Sequence, residues 1–258
     1  MSTIPIHPSA TISEASFPNS GQLAIDMTDK SAYADFASTP LAVKSQVAIS
    51  KGEAGNVMTG SLAWGVAVLM GVYTAENVSG SHIISVITFT HAVYGRMPWW
   101  KVPGYICAQT LGAFIAAALV YVLHYEKISA VDLETMHFLF VTYPYGVSNY
   151  TAFYTEVLLC AFLMSCAYAI TDQRNRCPGP VGTPFALALL VMALGSAFSL
   201  NTGLGASVNR DLGPRIFAYL AGYKAAFTEY SYYFWMDPFS VVSLVPARTS
   251  SSSKSSIP

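Results

Sequence analysis

The chain has 258 residues, of which 53% are hydrophobic and only 10% charged, with a net charge of −1. Soluble domains carry about 25% charged residues, so this composition excludes an ordinary soluble domain and points to a multi-span membrane protein. The near-neutral balance, with no basic patch interleaved with aromatics, also excludes a nucleic-acid binder.

Residues 1–39 are rich in Ser, Thr, Pro and acids and hold no apolar stretch long enough to span a bilayer. No basic start leads into an apolar core, so no signal peptide is expected, and the segment reads as a disordered cytoplasmic tail. Pro40 to Ser50 is mildly apolar but short, and Lys44 interrupts it, so it is not read as a span. Four segments do read as spans: Val57–Ala75, Val102–Leu123, Thr151–Thr171 and Thr183–Leu200. Each is close to the ~20 residues that cross ~30 Å of hydrocarbon. The second is studded with small residues (Gly104, Ala108, Gly112, Ala113, Ala116, Ala117) that allow close helix approach. The third carries a lone acid, Glu156. Tyr232–Val245 is a fifth candidate, short and broken by Asp237 and Pro238. Residues 40–247 form the expected membrane domain, and 248–258 a second, Ser-rich disordered tail.

Arg96 and Lys101 flank one connection and Arg174 and Arg176 lie in another, whereas the Glu126–Asn149 connection is acidic. The positive-inside rule puts the arginine loops and both tails in the cytoplasm. Tails on one side require an even number of spans, which four clear segments and one short one leave unresolved. Cys107, Cys160, Cys166 and Cys177 show no CxxC spacing and read as small core residues.

Two stretches break the apolar pattern. Ser79-Gly-Ser-His-Ile-Ile-Ser-Val-Ile-Thr88 and Thr202-Gly-Leu-Gly-Ala-Ser-Val-Asn-Arg-Asp-Leu-Gly-Pro-Arg215 each follow a span, open with a small polar residue and Gly, and lead into a short apolar segment. Charges at that depth are costly and belong on a protein-lined or watery path. A Gly-containing break followed by a short helix is how a half-helix ends inside a membrane protein.

Together with Trp64-Gly65, Ala108-Gln-Thr-Leu-Gly-Ala-Phe114, Glu156, Gly195 and Tyr232-Tyr-Phe-Trp235, these stretches carry a resemblance. Over roughly Val47 to Trp235 the chain resembles the aquaporin superfamily, and within it the glycerol-conducting aquaglyceroporins of fungal type. The resemblance implies an all-α membrane protein: an aquaporin-like bundle of two inverted repeats with two re-entrant half-helices. Here the bundle reads as incomplete, with the family's first helix absent and the last one short. It implies a passive channel for glycerol, small polyols and water in a lipid bilayer, with the plasma membrane favoured. It also implies one pore per subunit of a homotetramer, or of a hetero-oligomer with intact relatives, and no cofactor. By position the selectivity neck would be Trp64, Gly195, Leu204 and Arg210. Asp211 and Arg215 match the glycerol branch, and Leu204 stands where an aromatic is usual.

The family's half-helices each begin with Asn-Pro-Ala. Here Ile84-Ser85-Val86 and Ser207-Val208-Asn209 stand instead. Ile84 has no donor and should narrow and dewet the lane. Ser207 can cap a helix start and donate one hydrogen bond, while Asn209 should point elsewhere. Arg210 is either a donor in the neck or an anchor for loop carbonyls, Glu156 a support for loop amides, and His82 a loop support or a lining group. His82 and His91 are too isolated for a metal site, and no Ser/His/Asp order or HExxH pattern suggests an enzyme. The competing reading is a non-conducting or degenerate membrane scaffold.

Overall fold

The computed structural model of the chain describes residues 40–130 and 139–228. The tails 1–39 and 248–258, the Tyr232–Val245 segment, the aromatic Tyr232–Trp235 run and the centre of the acidic connection lie outside the described residues. So does whatever of a first helix would precede residue 40.

The described residues are helical, with no strand among them. In chain order the helices are α1 (40–49), α2 (Val57–Ser79), α3 (Ser85–Val93), α4 (Val102–Leu123), α5 (Tyr125–Ile128), α6 (Asn149–Thr171), α7 (Gly179–Thr202) and α8 (Val208–Leu220). Four stretches are long and apolar enough to cross a bilayer: Val57–Glu76, Trp99–Leu123, Asn149–Thr171 and Gly179–Thr202. They coincide with the four segments expected from hydropathy. Their outer faces leave Val66, Met70, Leu119 and Leu189 exposed. An apolar surface that continuous is costly in water and at home in lipid.

Local chemistry sets the helix ends. Asn56 caps α2 by accepting from the amides of Met58 and Thr59, and Thr59 completes a capping box. Ser148 caps α6 through the Thr151 amide. The described part of α1, residues 40–49, rises about 15 Å at about 1.5 Å per residue. It is packed, with Leu41 and Ser45 buried. Lys44, which interrupts the apolar pattern, donates from Nζ to the Val141 carbonyl at 2.9 Å.

Small residues bring the helices together. A Cβ on Gly65 of α2 would lie 2.8 Å from the Ala188 carbonyl of α7, and one on Gly195 of α7 would lie 2.9 Å from Ser61 Oγ of α2. On the other side, a Cβ on Gly213 of α8 would lie 2.6 Å from the Thr110 carbonyl of α4. Such contacts let backbones approach where lipid supplies no hydrophobic drive. The short helices α3 and α8 therefore sit inside the bundle, each reached from the end of a long helix.

Candidate functional site

The loops that lead into α3 and α8 share a backbone design. The helices α2 and α7 end on Gly80 (φ 74°) and Gly203 (φ 76°), in the left-handed region. Each chain then runs through a loop holding non-glycine residues in that region: Ser81 (φ 54°) in the first, Leu204 (φ 64°) and Ala206 (φ 53°) in the second. Such residues cost on the order of 1–3 kcal/mol each and persist only when their surroundings hold them.

Glu156 holds the second loop. Its buried carboxylate accepts from the Gly205 amide at 3.0 Å and the Ala206 amide at 2.9 Å, and from the Thr202 hydroxyl. Gly205 has to be glycine for this, because a Cβ there would lie 2.7 Å from Glu156 Oε2. Among the described residues no carboxylate plays this part for the first loop. Gln109 of α4 donates instead to the His82 carbonyl and to Thr88 Oγ1 at 3.1 Å.

The helix starts differ further. Ser207 caps α8, its hydroxyl oxygen accepting from the Arg210 amide at 3.3 Å. Ile84 stands at the start of α3 and supplies no side-chain cap. The cap for α3 comes from the other half of the chain, because Asn209 Oδ1 accepts from the Ser85 amide at 2.9 Å. The same oxygen accepts from the Ser207 hydroxyl at 2.8 Å. Asn209 thus points across to the opposing half-helix and joins the two starts. The one hydrogen bond that the Ser207 hydroxyl donates therefore goes to Asn209.

Deeper in α8, Asp211 and Arg215 form a buried ion pair at 2.6 Å. Asp211 also accepts from the Thr142 amide at 2.7 Å. Arg215 Nη2 donates to the Thr142 carbonyl at 3.0 Å, and Nη1 donates to the Ala226 carbonyl. These bonds tie α8 to residues 142 and 226, so the pair fixes the half-helix.

Between the half-helices lies a cavity of about 90 Å³. That is room for several waters, each needing roughly 10–15 Å³ by the same kind of measure. Its wall takes Trp64, Leu204, Ser207 and Arg210 at the polar end. The remainder is largely aliphatic, including Ile84, Ile87, Leu163, Leu187 and Val191. Arg210 is only 5% exposed. Its Cζ lies 5.2 Å from the centroid of the Trp64 ring, and Nη2 makes one long bond of 3.4 Å to the Gly203 carbonyl. Its Nε and Nη1 are buried without a protein partner. Leaving two charged donors unmet in a dry site would be costly, so they are suited to a guest with oxygen acceptors.

The structure therefore brings Trp64, Leu204, Arg210, Ile84 and Ser207 to one cavity. Gly195 is not in its wall; it serves the α2–α7 contact at Ser61. Nor does His82 reach the wall. Its ring packs 4.6 Å from that of His91 and 5.2 Å from that of Tyr105, centroid to centroid. Ser85, Val86, Val208, Asp211 and Arg215 are buried behind the wall. Sequence reasoning missed Gln109, Thr142 and Gly205, which act through bonds or close approaches to residues distant in the chain. The pattern Gly-x-Gly after Thr202 was the available signal for Gly205.

The chain is similar to known proteins over most of its length. A profile of the major intrinsic protein family matches residues 29–245. Aquaglyceroporin-2 of Rhizophagus irregularis is 34% identical over 235 residues, covering 84% of this chain and 74% of that protein. Aquaglyceroporin-9 of Botryotinia fuckeliana is 35% identical over 206 residues, covering 75% of this chain and 45% of its own length. The solved structure of the aquaglyceroporin from Plasmodium falciparum superposes with a TM-score of 0.71 at 26% identity, covering 85% of this chain and 93% of that one. The chain thus spans between about half and three quarters of the length of the two fungal relatives.

Proposed function

Because this chain belongs to the major intrinsic protein family, we propose that it is a passive membrane channel for glycerol, small polyols and water. One observation carries the reading: Arg210 lines a cavity between two half-helices with Nε and Nη1 buried and unpartnered. A fixed guanidinium offers donors to passing hydroxyls and repels protons and cations. The positive ends of the half-helices add to that barrier. Trp64 and Leu204 form the apolar wall beside it, and Glu156, Asp211 and Arg215 hold the loop that presents Arg210. The rival role for Arg210, a loop anchor, has only the long Gly203 bond in its favour.

In this reading the protein works as a homotetramer or beside intact relatives, in the plasma membrane. The arginine loops around Arg96 and Arg174 face the cytoplasm. A non-conducting scaffold is the second reading, favoured by Ile84 standing where a donor would line the lane. Light scattering of reconstituted vesicles in a glycerol gradient tests the choice. The channel gives flux above empty vesicles, and Arg210→Val lowers glycerol flux about tenfold, as losing one strong charged contact does, while raising proton leak. Flux equal to that of empty vesicles, with Arg210→Val changing only the yield of folded protein, leaves the scaffold.

A further inference from the structure

The cavity is almost wholly aliphatic and is bordered at one end by the Arg210 guanidinium, whose donors are not all met. At the Arg210 end, Nε and Nη1 are unpartnered. Elsewhere the wall's two serine hydroxyls are engaged, and two loop carbonyls already accept one bond each. The Ser207 hydroxyl donates to Asn209, and the Ser81 hydroxyl donates to the Val72 carbonyl at 3.1 Å. The Ser81 carbonyl accepts from the Ile83 amide at 2.7 Å, and the Gly205 carbonyl from the Ser207 amide at 2.6 Å. Past Ser207 the wall turns to Ile84, Ile87, Val68, Leu163, Leu187 and Val191. Ile84 and Ile87 are three apart and so lie on one face of the half-helix, and both line the cavity.

Resting on the channel reading above, we infer that the lane selects neutral amphiphiles with polar groups at one end and an alkyl group at the other, over glycerol and water. Vicinal diols of three or four carbons are the simplest case. Such a solute presents its oxygens to Arg210 while its methyl or ethyl end occupies the aliphatic half. Glycerol has three hydroxyls on three carbons, so whichever end leads, one hydroxyl meets the Ile84 wall without a partner. That deficit lowers passage about tenfold, about 1.4 kcal/mol. A methyl group in its place suffers no such loss and gains from leaving water. Water in the aliphatic half keeps only its neighbours in the file, so it too passes more slowly there.

The test measures uptake of propane-1,2-diol and of glycerol in the same reconstituted vesicles, with the leak of empty vesicles subtracted from each. The expected protein-dependent ratio of diol to glycerol is about ten. Ile84→Asn supplies a donor in the aliphatic half and should bring the ratio close to one, chiefly by raising glycerol flux. Ile84→Ser is the smaller change for use if the asparagine variant does not fold. Both solutes passing, with glycerol as fast as the diol or faster, overturns the inference and leaves the channel standing. So does a folded Ile84 variant whose ratio equals that of the unaltered protein. Neither solute passing above empty vesicles overturns the channel reading itself, and this inference with it.

Discussion

The two half-helices are built on one backbone plan and held in opposite ways. At matching places, three residues apart on each helix start, α3 presents Ile84 and Ile87 to the cavity while α8 presents Ser207 and Arg210. Behind the wall, α8 is fixed by an acidic side chain and an ion pair: Glu156 under its loop and the Asp211–Arg215 pair along its shaft. The α3 side has a neutral amide, Gln109, and a cap borrowed from Asn209 of α8. The second half-helix is therefore anchored to the bundle, and the first is anchored partly to the second. Damage should travel from α8 to α3 more readily than the reverse.

The largest expected effect comes from Asp211→Ala. It strands Arg215, whose side chain is only 2% exposed, and removes the acceptor for Thr142. Breaking one partner of a buried pair costs about 3–5 kcal/mol. Thermal unfolding in detergent should register that loss, and amide exchange should speed up in both half-helices. Faster exchange confined to α8 would show that α3 stands alone.

Asn209→Ala comes next. It removes the cap on α3 and the acceptor for the Ser207 hydroxyl, and losing such a cap costs about 0.5–2 kcal/mol. Exchange at Ser85 to Thr88 should accelerate by about 3–30-fold on that scale, with residues 211–215 little changed. Equal acceleration at both places would mean that Asn209 serves its own helix first. The smallest effect belongs to Gln109→Leu, which removes one neutral bond to Thr88 and one to the His82 carbonyl. A loss of about 1 kcal/mol, confined to exchange at residues 82–88, is the expected outcome. Exchange rising in α8 as well would reverse the proposed direction of dependence.

The pattern of what sequence reasoning reached follows from the same physics. Hydropathy located the four crossing segments because lipid imposes length and apolarity on every spanning helix. The half-helices were legible because a glycine ends each long helix and marks the change of direction. The direction of Asn209 was not, since the amide it caps is 124 positions away. The fate of the Ser207 proton was closer to hand, because its acceptor is two residues on. Positional likeness placed Gly195 in the neck, and it could not foretell the close approach of Ser61 to the same glycine. Lys44 looked like an interruption in an apolar segment; in the fold its long stem carries the ammonium to the Val141 carbonyl.

The central claim is that the cavity between the half-helices is the path that solute takes. Ala167 of α6 lines its aliphatic half, and Ala167→Cys places one thiol there at little cost in volume. With Cys107, Cys160, Cys166 and Cys177 replaced by alanine, mercuric chloride should react at position 167. Protein-dependent glycerol flux should then fall about tenfold or more, as expected for an obstructed single-file lane, and should recover when a thiol reagent strips the metal. Stoichiometric mercury at position 167, shown by mass spectrometry, with glycerol flux unchanged would contradict the account.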